Sequence, residues 1–202
     1  MTNKRDARSY TFWLILSGDA VHGEQLEDEL FESGCDDAVL GSRDGVTFLE
    51  FEREADTLAD AILSAIANVQ STGAFVVRVE PDDLVTAAEI ARRIGRTRES
   101  VRLLVQGERG PGTFPPPAAS LTGKSPIWRW AEVARWFADN YAEHGDLSAA
   151  DASVIAGINS ALELRQHFAK AGEVRALWSA LGVRETPPRY DSLRRVLRRR
   201  TT

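Results

Sequence analysis

Residues 89–106, EIARRIGRTRESVRLLVQ, hold five arginines, Arg92, Arg93, Arg96, Arg98 and Arg102, among six aliphatic residues on either side of Gly95. A guanidinium is charged at every physiological pH and offers a planar fork of donors. Such a cluster is either a solvated helix face or a surface that grips a polyanion. Other chemistry is poorly supplied. The three histidines, His22, His144 and His167, fall in separate segments, and the single cysteine, Cys35, allows no disulfide within the chain. No Ser/His/Asp grouping, metal-ligand spacing or phosphate-binding loop is present. The stretch 107–112, GERGPG, is glycine-rich but follows a helical segment and lacks the lysine of such a loop. The chain is therefore expected to be a binder and not an enzyme, with no catalytic residue, metal or cofactor. His22, alone beside glycine, reads as a loop residue. Cys35, with no basic neighbour in sequence, reads as a structural thiol.

Two short helices must position the arginines. Thr86-Ala-Ala-Glu89 has the form of a capping box, with threonine capping the helix start and glutamate returning the bond. The first helix is expected over about 87–94, ended by Gly95, because the residue after a helix often needs positive φ. Thr97 then caps a second helix over about 98–106. Ile90, Ala91 and Ile94 face inward on the first, Val101 and Leu104 on the second. A small residue at 91, glycine four later and valine six after that resemble the helix-turn-helix of bacterial transcription factors. The alternative is an ordinary helical hairpin.

The next stretch extends the resemblance. Residues 107–130 read GERGPGTFPPPAASLTGKSPIWRW. Ala118 to Leu121 reads as a short strand, Thr122 to Ser125 as a turn and Ile127-Trp128 as a returning strand, together a small β wing. Residues 130–141, WAEVARWFADNY, form a helix with Val133, Trp136 and Phe137 inward. Over about 84–138 the chain is similar to the MerR-like/excisionase-like winged helix-turn-helix group. It departs from MerR regulators in lacking a long coiled coil after the wing and a cysteine-based metal sensor.

That likeness implies a partner, double-stranded DNA, and a role for each residue. Thr97, Arg98, Glu99 and Arg102 would face outward on the recognition helix. Arginine can grip guanine through two acceptors, and glutamate can accept from cytosine. Arg96, Thr97 and Ser100 would lie near phosphates. Arg92 and Arg93 would face the DNA backbone or solvent. Lys124 at the wing tip would reach a phosphate or the minor groove, with Arg129 nearby. Trp128, Trp130 and Trp136 read as core and not as base-stacking residues.

The rest of the chain frames this module. Residues 10–16, 37–41, 46–52 and 74–79 read as strands, with a hairpin turn at Arg43-Asp44-Gly45. Helices are expected over 24–33, with Leu26, Leu30 and Phe31 on one face, and over 57–70, with Leu58, Ile62, Ile66 and Val69 inward. The order βαββαβ predicts a ferredoxin-like sandwich. The expected fold class is α+β: an N-terminal ferredoxin-like domain over 1–80, a winged helix-turn-helix over 84–142, and a helical C-terminal region over 147–202. Residues 80–83, EPDD, read as a linker. In the last region a long helix or two joined ones cover 147–170 and another covers 173–181. The tail DSLRRVLRRRTT reads as a basic arm, a helix for an acidic partner, or a solvated end.

Charge is uneven. The net of −5 conceals 6 Lys+Arg against 16 Asp+Glu over 1–80, and 19 against 14 over 81–202. For the chain as a whole the excess of arginine over lysine reads as GC-rich coding before phosphate contact. No apolar run reaches spanning length, so a soluble, cytoplasmic protein without a membrane role is expected. The leading expectation is a sequence-specific DNA-binding transcriptional regulator acting as a homodimer. The alternative is a non-enzymatic interaction protein, such as a phage- or defence-type adaptor, an antitoxin or an architectural DNA binder. Its acidic N-terminal domain would bind a protein or a small ligand.

Overall fold

The computed structural model describes residues 8–18, 21, 25–119, 125–141, 148–168 and 171–182. The elements run β1 (Arg8–Ser17), α1 (Leu26–Glu32), β2 (Ala38–Arg43), β3 (Val46–Ala55), α2 (Leu58–Ser71), β4 (Phe75–Glu80), β5 (Leu84–Thr86), α3 (Ala87–Arg93), α4 (Arg98–Val105), β6 (Ile127–Arg129), α5 (Trp130–Tyr141), α6 (Ala149–His167) and α7 (Ala171–Ala180). The fold is a mixture of helix and antiparallel sheet. It divides into two compact units, Met1–Pro81 with Gly157–Thr202, and Asp82–Ala156. The boundary between the units falls inside α6, within the expected helical C-terminal region 147–202.

In the first unit a four-stranded sheet has the order β2-β3-β1-β4, with every neighbouring pair antiparallel. Alternation places Phe12, Leu14 and Leu16 of β1 and Leu49 and Phe51 of β3 in the core. These residues meet the apolar stripe of α2, where Leu58, Ile62, Ile66 and Val69 are all buried as their spacing requires. The Thr57 hydroxyl caps α2 by accepting from the Asp60 N–H at 3.1 Å. The β2–β3 hairpin turns through Asp44 and Gly45, both in left-handed backbone with φ of 53° and 77°. At Gly41 the absence of a side chain is required, because a Cβ there would lie 2.6 Å from the tip of the Phe48 ring.

Three features stand apart from the sequence expectations, the first by contradicting one and the other two by having no local signal. Phe31 is 68% exposed, whereas Leu26 and Leu30 are buried. The helix begins only at Leu26 and lasts seven residues, and at 3.6 residues per turn Phe31 falls well off the line joining the two leucines. Next, Arg53 takes an inward position on β3 and is buried. Its Nε and Nη2 each meet a carboxylate oxygen of Asp37 at 2.7 Å, and Nη2 also donates to the Gly34 carbonyl at 2.7 Å. Asp37 keeps 29% of its side chain exposed, and the cost of desolvating the pair offsets much of its attraction. Arg53 also sets the surroundings of Cys35: burial pushes that thiol up, and the Ser33 contact and the Arg53 charge pull the other way.

The third difference lies at the β4 edge of the sheet. Asn159 of α6 accepts from the Val79 N–H and donates to the Val79 carbonyl. Arg165 donates to the Val76 carbonyl at 2.7 Å and Gln166 to the Val77 carbonyl at 3.0 Å. Val77 sits where the β1–β4 register shifts. The polar side of α6 thus satisfies main-chain groups that an edge strand otherwise presents to any passing chain.

In the second unit, α3, α4 and α5 enclose a core of Val85, Ile90, Ala91, Val101, Leu104, Trp128, Trp130, Val133, Trp136 and Phe137. The three tryptophans are therefore core residues. Trp128 also ties the proline segment down, donating from Nε1 to the Pro115 carbonyl at 3.1 Å. Strand β5, absent from the sequence reading, pairs with β6 through Leu84–Arg129, Val85–Trp128 and Thr86–Ile127. Of the strand expected at 118–121, Ala119 bridges Ile127; residues 120–124 of that wing, with Lys124, lie outside the described residues, as does the basic tail. Among the described residues no helix is long and apolar enough to cross a membrane.

Candidate nucleic-acid interface

The pair α3–α4 is fixed at three points. At its start the Thr86 hydroxyl accepts from the Glu89 N–H at 3.2 Å. At the turn the Arg96 N–H reaches the Ala91 carbonyl at 2.9 Å and the Gly95 N–H reaches the Arg92 carbonyl at 3.3 Å. That is the paired closure of a helix ending on a left-handed residue, and Gly95 has φ +65°. Nothing lies within 4 Å of a Cβ built at Gly95, so backbone conformation and not space demands glycine there. Finally, the Thr97 hydroxyl caps α4 by accepting from the Ser100 N–H at 3.2 Å. Val101 and Leu104 are buried against α3, which turns the other side of α4 to solvent.

On that side Thr97, Arg98, Glu99 and Arg102 are all exposed, and Ser100 is half-buried. The Arg98 side chain makes no hydrogen bond or ion pair among the described residues. Arg102 is held along the helix surface. Its Nε lies 2.9 Å from Oε2 of Glu99 and its Nη2 2.7 Å from Oε1. Its Nη1 also donates to Gln106. The Arg102 hydrogen bond holds the Glu99 carboxyl below its usual range and raises the guanidinium in return. Both groups are solvated, so the pair exchanges readily for another partner.

The arginines of α3 separate into two kinds. Arg92 is exposed, and its Nη2 lies 2.6 Å from Glu89. Arg93, expected to face DNA or solvent, points inward instead, with a side chain 6% exposed. Its Nε donates to Glu89 at 3.1 Å, its Nη2 donates to the Asp82 carbonyl at 3.0 Å, and its guanidinium lies 5.1 Å from the Trp130 ring centre. Arg93 lies four positions after Glu89, so one turn of helix brings them together beside the tryptophan. Glu89, expected to return the capping bond, binds both arginines. The Arg92 bond and then the Arg93 bond hold its carboxyl down to about 2.

Arg129 is half exposed, and its Nη1 lies 3.0 Å from Asp83. The expected linker residue Asp83 is itself buried. Its Oδ1 accepts from the Ala131 N–H at 3.0 Å and its carbonyl from the Trp130 N–H at 2.6 Å, so it caps α5 from 48 positions upstream. Arg96 is half-buried, its guanidinium 4.6 Å from the Tyr141 ring centre and 5.6 Å from that of Phe137. An aromatic platform of this kind orients a planar cation.

Three contributors escape the sequence reading. Gln106 carries the only local signal, four positions after Arg102. Tyr141 reaches Arg96 from another helix. Arg109 is exposed in the loop after α4, where its N–H donates to the Leu103 carbonyl at 3.2 Å.

The charge balance is also redistributed. Residues 82–156 carry nine Lys+Arg against ten Asp+Glu, so the basic excess lies beyond residue 156. Within the second unit the cations are concentrated instead: residues 90–109 hold six arginines against Glu99 and Glu108. A scan against protein-family models, a search of curated proteins and a search of solved structures return no match to the chain.

Proposed function

We propose that this chain is a sequence-specific double-stranded DNA-binding protein, a transcriptional regulator that lays α4 in the major groove. One observation carries the reading: Thr97, Arg98, Glu99 and Arg102 stand together on the exposed side of a helix whose other side is locked to α3. A capped, rigidly seated helix with a polar, arginine-bearing face is the form that base recognition requires. Arg98 is the first candidate for a guanine, and the Glu99–Arg102 pair presents an acceptor and a donor side by side. Thr97, Ser100, Arg96 and Arg92 flank that face and suit phosphates. The β5–β6 pairing and the Ala119 bridge support the winged form of the resemblance. Arg93 drops out of the contact set, and Arg129 contributes only what its bond to Asp83 leaves free.

The first unit's βαββαβ order and its sheet order β2-β3-β1-β4 support the ferredoxin-like reading. Such a fold assigns no activity by itself. A single α4 reads only a few base pairs, so a homodimer on a two-fold site completes the proposal. Selection of bound duplexes from a random library by the full chain is the test. Enrichment of an inverted repeat sustains the reading; failure to enrich any sequence overturns it.

The near-neutral charge of residues 82–156 favours a second reading, an adaptor or antitoxin whose surfaces bind protein. The salt response separates the two. DNA affinity falls steeply with salt because phosphate contacts release counterions, and a flat response supports the protein partner.

A further inference from the structure

We propose that the free edge of β2 is a homotypic interface, where two copies of this chain pair their β2 strands antiparallel and merge their sheets. The hairpin geometry sets which main-chain groups are available. Arg43 and Val46 flank a two-residue turn, so they form a hydrogen-bonded pair, and such pairs alternate back along the strand. The Glu52 N–H on the Asp37 carbonyl at 3.1 Å keeps that alternation at the far end. Leu40 and Ser42 therefore direct both N–H and C=O away from β3. At Ala38 the N–H is taken by the Cys35 carbonyl at 3.1 Å, and its own carbonyl points outward.

Among the described residues this edge lacks the usual protection. Natural sheets block exposed edges with charge, proline, a bulge or a covering element. From Ala38 to Ser42 the sequence AVLGS has no charge and no proline, and the β2–β3 register is unbroken. The β4 edge is treated in the opposite way, covered by Asn159, Arg165 and Gln166. Among the described residues this sheet has one open and one covered edge, which permits a pair and disfavours a growing ribbon, since a two-fold contact uses the open edge of the sheet in each copy.

The strand also fits itself. Two-fold pairing about Leu40 sets Val39 of each copy opposite Gly41 of the other. Val39 is 67% exposed, and the Phe48 ring lies over Gly41 on the same face of the sheet. Each valine thus meets the phenylalanine ring of the second copy. Charge agrees at the ends. The Arg43 side chain, 87% exposed, arrives beside the exposed Asp36 that precedes the other copy's strand. About four main-chain hydrogen bonds form across the seam.

The interface supplies the second copy that the DNA reading calls for without resting on that reading, so its test uses the full chain without DNA. Sedimentation over a concentration series is expected to move from 22.3 kDa toward twice that mass. Hydrogen exchange at the Leu40 and Ser42 amides is expected to slow as the dimer forms. Val39→Lys places an ammonium against an apolar contact twice by symmetry and is expected to weaken association about tenfold or more. Phe75→Lys, at another exposed apolar position in the sheet, is expected to leave association unchanged. A chain that stays monomeric overturns the proposal. So does a dimer that Val39→Lys leaves intact, or one whose Leu40 and Ser42 amides exchange as in the monomer. The exchange measurement needs no variant, so a folding defect in either lysine variant does not remove the test.

Discussion

Asn159 binds Val79 twice: its Oδ1 accepts from the Val79 N–H at 2.7 Å and its Nδ2 donates to the Val79 carbonyl at 2.9 Å. The side-chain amide stands in for the neighbouring strand that β4 lacks. Asn159→Leu keeps the bulk and leaves two partly buried main-chain groups unpaired. The expected loss is about 1–3 kcal/mol of folding stability, read from denaturant melts. Asn159→Asp retains the acceptor and loses the donor, so it should fall between the two.

Arg93 and Arg98 are five positions apart and should fail in different ways. Arg93→Ala removes a buried cation from Glu89, the Asp82 carbonyl and the Trp130 ring. With Glu89 still partly solvated, the expected cost is about 1–3 kcal/mol of stability. Arg98→Ala removes an exposed side chain and should change stability by less than about 0.5 kcal/mol. If it reads a base, it weakens specific DNA binding by about 1–3 kcal/mol. Thermal melts and titrations on one selected duplex separate the two effects. A shared phenotype would sink the assignment.

Glu89 titrates at about 2 when folded, against an ordinary 4.5, chiefly because Arg92 and then Arg93 hold its charged form. A lowered carboxylate adds stability above its unfolded value and loses it as pH falls through its folded one. Its contribution is therefore complete above about pH 4.5 and should decline from there to about pH 2. Glu89→Gln should lower stability at neutral pH and flatten that part of the acid profile. Urea melts at stepped pH give the comparison.

Glu99 restrains Arg102 in the unbound chain. Glu99→Gln should free the guanidinium for phosphates, steepening the dependence of log affinity on log salt by about one unit. It should also reduce discrimination at any cytosine that Glu99 selects. Binding to specific and scrambled duplexes across a salt series tests both.

Where contacts are local, the sequence is a good guide. Alternation in 46–52, the heptad-like spacing of Leu58, Ile62, Ile66 and Val69, and Asp44-Gly45 all lead to the elements observed. So do Thr86, Gly95 and Thr97, because capping and turning are decided within a few residues. The limits appear where a residue answers to a distant one. Asp83 looks like linker until Ala131 arrives 48 positions later, and Arg53 sits in an apparently polar run until Asp37 meets it. Strand β5 has three residues, too few to show a period. Arg93 reads as facing DNA or solvent, though Glu89 one turn earlier and Trp130 across the core turn it inward. Nothing in the local pattern of 159–166 marks Asn159, Arg165 and Gln166 as partners of a strand some eighty residues earlier.

The chain leaves its first unit at Pro81 and rejoins it at Gly157. During synthesis β4 is therefore complete long before the helix that covers it exists. At ribosomal rates of about 5–20 residues per second, the intervening 75 residues keep that edge unshielded for about 4–15 s. Through that interval the nascent chain carries two sticky strand edges, on β2 and on β4. On a polysome, where identical chains emerge side by side, the order of translation sets how long this protein is exposed to its own copies before α6 arrives.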